Sequence, residues 1–208
     1  MITEQLFNNR HLCCYCTDIT KHKRLEQQLK ATTQQLQLLG SKDDLTGLNN
    51  RRNFRLQAGQ EIERCRRHST NAVLLMLDID HFKRVNDRYG HAAGDRVLSE
   101  FGKALKEFLR SYDLSGRMGG EEFAVLLPKT SLAQARLTAE RLRQMTEALR
   151  VEYQGEVITV TVSIGVATLE QHGTTLDDLY FVADKYLYLA KEAGRNCVIA
   201  GQPRNRST

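Results

Sequence analysis

Proline is scarce, at two residues in 208, and no serine- or glycine-rich stretch is present. That composition excludes a proline-stiffened or low-complexity linker between the structured parts. No apolar run approaches the roughly 20 residues that a membrane-spanning helix needs. The longest, AVLLML from Ala72 to Leu77, has the length of a buried strand. No charged-then-apolar leader opens the chain, so no secretory signal is expected. The five cysteines are odd in number and do not have the spacing of a disulfide framework. A reducing, cytoplasmic setting is the expectation, with any membrane tether lying upstream. Cys13, Cys14 and Cys16 lack a second Cys/His pair at zinc-ligand spacing, so they read as strand residues rather than a metal site.

What is present is an ordinary globular composition, 41% hydrophobic, enough to bury a core. Lys and Arg number 30 against 25 Asp and Glu. This mild excess suits a phosphorylated small molecule or an anionic surface. The basic residues are dispersed over helical stretches such as EIERCRRH, without interleaved aromatics, which argues against nucleic acid as a partner.

The chain divides by pattern into four parts. Residues 1–20 resemble the end of an upstream domain, because one strand cannot bury both of its faces alone. Residues 21–40 form a helical linker. Leading into and along it, Ile19, His22, Leu25, Leu29, Thr32, Leu36 and Leu39 recur at spacings of three and four, a coiled-coil seam stopped by Gly40. Residues 41–200 are the globular domain, and 201–208 a tail. Within the domain, helical patterns cover RRNFRLQAGQEIERCRRH, HAAGDRVLSEFGKALKEFLRS, SLAQARLTAERLRQMTEAL and TLDDLYFVADKYLYLAKEAG, with Ser131 as an N-cap. Strand patterns cover NAVLLMLDID, DLSGRM, EEFAVLLP and RNCVIA, with two more strands around a glycine turn in VEYQGEVITVTVSIGVATL. Alternating strands and helices with two tight hairpins predict an α+β fold, a mixed and largely antiparallel sheet flanked by helices.

The chemistry gathers at strand ends. Asp78 and Asp80 close the apolar strand, where an isolated charge is costly unless a cation or a helix start offsets it. The segment SGRMGGEEFAVLLP sets two carboxylates beside a glycine pair. If the first strand lies beside that hairpin, Asp78 faces Glu121 and Glu122. Three like charges repel unless a divalent cation joins them. Gly119 and Gly120 carry no Cβ, so a base or ribose can approach the backbone. No Walker-type loop is present, so the phosphates are not held by a P-loop.

These segments resemble the GGDEF family of diguanylate cyclases, with GGEEF as a variant of the signature. The resemblance runs in order through DDLTGLNNRR, DIDHFKRVNDRYGHAAGD, RSYDLSGRMGGEEF, VSIGVA and ADKYLYLAKEAGRN. It implies a fold akin to the nucleotide cyclase and polymerase palm, and condensation of two GTP into cyclic di-GMP. It implies Asp78, Ile79, Glu121 and Glu122 as ligands for magnesium, with manganese an alternative, and Glu121 as catalytic base. It implies Asn86 and Asp95 as readers of guanine, beside Gly119 and Gly120. It implies Lys83, Lys191 and Arg195 as holders of the triphosphate. Arg110 and Asp113 match the family's RxxD site, which implies inhibition by cyclic di-GMP of its own synthesis, with Arg141 on the next helix as a second-site contact. Each subunit would bind one GTP, so a homodimer is implied. CTDIT before the linker resembles the end of a PAS sensor domain. A silent cyclic di-GMP receptor and an ATP-using cyclase are the competing readings. An intact hairpin opposes the first, and the Asn86–Asp95 pair opposes the second.

Overall fold

A computed structural model describes residues 4–7, 11–14 and 40–201. The chain separates into two units, Met1–Gly40 and Ser41–Thr208. In the first, β1 (Glu4–Phe7) pairs antiparallel with β2 (His11–Cys14). The expected strand thus has a neighbour. The polar exit CTDIT, Cys16, the linker seam and most of the expected tail lie outside the described residues.

The second unit is built on a six-stranded sheet. Its elements are β3 (Asn49–Asn50), α1 (Arg51–Arg67), β4 (Ala72–Ile79), α2 (Phe82–Tyr89), α3 (His91–Phe108), β5 (Leu114–Gly119) and β6 (Glu122–Pro128). They continue with α4 (Leu132–Ala148), β7 (Val151–Tyr153), β8 (Glu156–Ile158), β9 (Val162–Thr168), α5 (Leu169–His172), α6 (Leu176–Glu192) and β10 (Val198–Ala200). The strand order is β10-β9-β4-β6-β5-β3. The three inner pairings are antiparallel; β10 joins β9 and β3 joins β5 in parallel. This is the mixed, largely antiparallel sheet that the sequence predicts.

β4 lies at the centre and is buried along its whole length. Its side chains alternate between two cores. Val73, Leu75 and Leu77 join Phe101 of α3 and Leu142 of α4 on one face. Leu74 and Met76 join Phe54 and Ile62 of α1 and Leu179, Ala183 and Leu187 of α6 on the other. That parity decides on which side the polar end of the strand emerges. α6 sits directly on β9 at Gly165, where a Cβ would fall on Ala183 O and Leu187 N.

Several details depart from expectation, the two-residue β3 and the four-residue α5 among them. VEYQGEVITVTVSIGVATL contains three strands rather than two. Gln154 and Gly155 both take positive φ, 49° and 84°, and close a short β7–β8 hairpin that forms its own sheet. The chain then breaks at Thr161, whose carbonyl accepts the Asp80 N–H (2.9 Å), before β9 enters the main sheet. The short α2 is also absent from the sequence reading, because eight residues give too little periodicity to separate a helix from a loop.

Candidate active site

The β4–β6 ladder pairs Leu77 with Phe123 and ends with Asp78 opposite Glu122. Beyond that pair, the Ile79 N–H donates to the Glu121 carbonyl at 3.2 Å, fastening the hairpin tip to β4. The three acidic residues expected to converge therefore lie at one sheet end. Asp78 continues the even-numbered series of β4 and emerges on the α6 side. Lys191 stands four residues beyond Leu187, one turn further along the buried stripe of α6. The two meet: Lys191 Nζ lies 2.7 Å from Asp78 Oδ2, with the Asp78 side chain only 10% exposed.

Burial is the largest influence on the Asp78 carboxyl and pushes it up. Lys191 pulls it down, and the charges of Glu121 and Glu122 push it up again. The net direction is above 3.8. A buried carboxylate crowded by two others favours a cation, and hard oxygen donors suit magnesium among the divalent ions. Among the described residues, no three His, Cys, Asp or Glu side chains are drawn together into an ion cage. The cation on Asp78 here is the Lys191 ammonium.

The turn at the tip is open. Gly119 and Gly120 take φ of 149° and 51°, and a Cβ on either would meet nothing within 4 Å. Conformation requires glycine there, and the space beside the backbone is free for a ligand. Sheet, strand-end carboxylates and glycine turn occur together in a known family. The family model described as diguanylate cyclase, GGDEF domain, matches residues 41–197. The chain belongs to the GGDEF family.

Diguanylate cyclase DgcP of Pseudomonas aeruginosa is 43% identical over 177 residues, covering 84% of this chain and 25% of that protein. Among solved structures, diguanylate cyclase SiaD of Pseudomonas aeruginosa, in complex with its activator SiaC, superposes with a TM-score of 0.74. The identity is 40%, over 88% of this chain and 72% of that one. The GGDEF domain of DgcB from Caulobacter crescentus, in complex with c-di-GMP, also gives 0.74 at 30% identity, over 78% of this chain and 94% of that one. The chain spans a quarter of DgcP and under half of the other curated relatives DgcC and PleD.

The other expected site residues fall on neighbouring elements of this GGDEF domain. Lys83 is exposed on α2, and Asn86 stands one turn along it. Asp95 is exposed in the first part of α3, beside Gly94. A Cβ at Gly94 would fall on Asn86 Oδ1 and lie 3.1 Å from the Phe82 ring, so the glycine makes room for the Asn86 amide. Arg195 lies past α6, exposed and at φ 67°, its N–H bonded to Ala190 O at 3.0 Å. Lys191 is in the last turn of α6, and Arg195 lies three residues past its end. At the RxxD segment, Asp113 accepts the backbone N–H of Arg110 (3.0 Å) in a local turn. Burial pushes the Asp113 carboxyl up, against the Arg110 N–H and charge. The Arg110 guanidinium is exposed and donates to Tyr112 OH at 2.8 Å. Arg141, on α4, lies 5.4 Å over the Phe108 ring.

Sequence reasoning missed the groups that hold this arrangement. Arg117 Nε donates to Gly120 O (2.9 Å), and its Nη1 reaches both Asp43 oxygens at 3.2 and 3.3 Å. Asp43 also accepts from Thr46 N (2.9 Å) and Thr46 Oγ1 (2.7 Å). The DDLTG segment is therefore a clamp on the glycine turn. A lone arginine two residues before the glycine pair was the available signal. Asp80, which reads as a site carboxylate beside Asp78, is buried and satisfied by Thr161 Oγ1 (2.7 Å), Ser163 Oγ (2.6 Å) and Asn196 N (3.0 Å). It fastens the chain before α2 to β9 and to the loop after α6.

Burial pushes the Asp43 carboxyl up, but hydrogen bonds from Thr46 and the charge and hydrogen bond of Arg117 outweigh it. Its value lies below 3.8, so its stabilisation is present above that pH and lost as pH falls through the folded value. Asp43→Asn should destabilise by about 1.5–3 kcal/mol near neutrality, the range for hydrogen bonds to charged groups, with a smaller gap at about pH 3. Urea unfolding at both values checks this; a gap independent of pH would remove the clamp.

Proposed function

We propose that the chain is a diguanylate cyclase, joining two GTP into cyclic di-GMP and releasing two pyrophosphates. The observation that carries this reading is that Asp78, Glu121 and Glu122 lie at one sheet end, near enough for both glutamate charges to act on Asp78, beside a glycine turn open to ligand. Similarity to DgcP, and to a DgcB domain solved with c-di-GMP, supports it.

Asp78, Glu121, Glu122 and the Ile79 carbonyl would hold magnesium, or manganese in its place. Such an ion supplies charge neutralisation on the phosphates and acidifies the attacking hydroxyl. Lys191 serves as counter-ion to Asp78 in the free chain. Once Asp78 is engaged otherwise, its ammonium is released toward a triphosphate oxygen, where Lys83 and Arg195 would also act. Asn86 and Asp95 would read guanine. A carboxylate accepts from guanine N1–H and the exocyclic amine, which adenine cannot offer in that pattern. In each step the 3′ oxygen of one GTP bonds to the α-phosphorus of the other, and the bond to the bridging oxygen breaks. Glu121 takes the hydroxyl proton and pyrophosphate leaves. A second, reciprocal step closes the ring.

One chain supplies half of this arrangement. The working form on this reading is a homodimer with two GTP sites face to face, and the 21–40 linker would raise the effective concentration of one site at the other. Product feedback would act at Arg110 and Asp113, with Arg141 as a further contact. Arg110 presents an exposed guanidinium suited to phosphate and to stacking on guanine.

With GTP and magnesium, chromatography should show cyclic di-GMP from a dimeric sample, and none from such a sample would refute the reading. Glu121→Gln should lower turnover about 100-fold or more, as expected for loss of a general base, with the fold intact by circular dichroism. Unchanged turnover would remove Glu121 from the chemistry. Arg110→Ala should leave initial rates intact and abolish inhibition by added cyclic di-GMP; persistent inhibition would discard that site.

A further inference from the structure

A cavity of about 440 Å³ lies against α2, on the side away from Lys83 and Asn86. The helical period explains the separation. Arg84 and Arg88 stand four residues apart on one stripe of α2, with the N-cap residue His81 also lining the cavity, while residues 83 and 86 fall on the opposite stripe. The other walls are the C-terminal end of α4 with Glu147, Arg150 two residues beyond it, and residues 157–161, from within β8 to the start of β9.

The charge inside is unbalanced. Two carboxylates line the cavity, and both are committed elsewhere. Asp80 is held by Thr161, Ser163 and Asn196. Glu147 accepts from Asn196 Nδ2 (2.9 Å) and Arg143 Nη1 (2.9 Å), which hold its carboxyl below the usual value. Among the described residues, no carboxylate pairs with Arg84, Arg88 or Arg150. Arg150 is fixed instead by its donation to Glu147 O (3.0 Å) and Leu149 O (3.2 Å). Arg88 lies 4.9 Å over the Tyr89 ring. Two of the three guanidinium groups are thus positioned before any ligand arrives.

Guanidinium groups match phosphate oxygens two at a time, and a concave wall with an excess of one charge sign, here three arginines against two committed carboxylates, concentrates its field. The volume falls within the roughly 300–1,000 Å³ of small-molecule sites. The walls come from three elements around one hollow, a shape for a compact ligand rather than for a strand tracked along a surface. We propose that this cavity binds a small anion bearing two or more phosphate groups, without a metal ion. The distinction from the carboxylate site is chemical. Asp78, Glu121 and Glu122 repel a polyphosphate unless a cation joins them, whereas Arg84, Arg88 and Arg150 attract it directly.

The test is calorimetric titration of the whole chain with sodium tripolyphosphate in EDTA, a condition in which the carboxylate site has no cation. Saturable binding is expected at one site. The double substitution Arg84→Ala/Arg88→Ala should weaken it at least tenfold, and Lys83→Ala should leave it unchanged. Both arginines are exposed, and the thermal midpoint verifies the fold; Arg84→Gln alone, with a smaller loss expected, serves if the double variant does not fold. No saturable binding overturns the proposal. So does binding that survives the arginine substitutions or is lost with Lys83→Ala. The condition lacks the metal needed for turnover, so the result is independent of the cyclase reading.

Discussion

Like-charge repulsion at one end of the sheet is the constraint around which the domain is arranged. Asp78, Glu121 and Glu122 are gathered where β4 meets the β5–β6 hairpin, and Asp78 is nearly buried. Left alone, such a group would favour a neutral carboxyl or a splayed hairpin. The fold answers with Lys191 on Asp78, the Ile79–Glu121 backbone bond, and the Arg117–Asp43 clamp behind the turn. Each comes from a different part of the chain. The acidic cluster is therefore a property of the whole tertiary structure, not of the five-residue signature.

The position of Lys191 shows how packing sets chemistry. α6 is laid on β9 through Gly165, with no side chain between the two backbones. The apolar stripe Leu179, Ala183, Leu187 fixes the rotation of the helix, and the next position on that stripe delivers an ammonium to the strand end. A cation supplied by a helix end is displaceable in a way that a buried arginine fork is not, because a lysine holds by one point charge on a flexible stem. Such a counter-ion suits a site expected to exchange it for a metal-bound nucleotide.

Much of this was legible in the sequence because the signals were long or chemically unusual. The buried strand Ala72–Ile79, the four long helices and the glycine turn with its acids all announce themselves by periodicity or by charge where charge is costly. What escaped notice depended on distant partners. Asp80 looks like Asp78 in the sequence, and only Thr161, Ser163 and Asn196, brought together by the fold, make it structural. Arg117 and Asp43 are 74 residues apart, and nothing local links them. The resemblance gave Lys191 to the triphosphate, while in the free chain its partner is Asp78. β8 was merged with β9 because a break of three residues, Thr159–Thr161, is invisible when the β-branched run continues through it.

The central claim is that the three acids work as one cation-dependent nucleotide site. Its most direct measurement is calorimetric binding of a non-hydrolysable GTP analogue, with and without magnesium, to the native chain and to Asp78→Asn. Binding by the native chain that needs magnesium, and loss of that dependence in Asp78→Asn, is the predicted result. Equal affinity with and without magnesium in the native chain would contradict it.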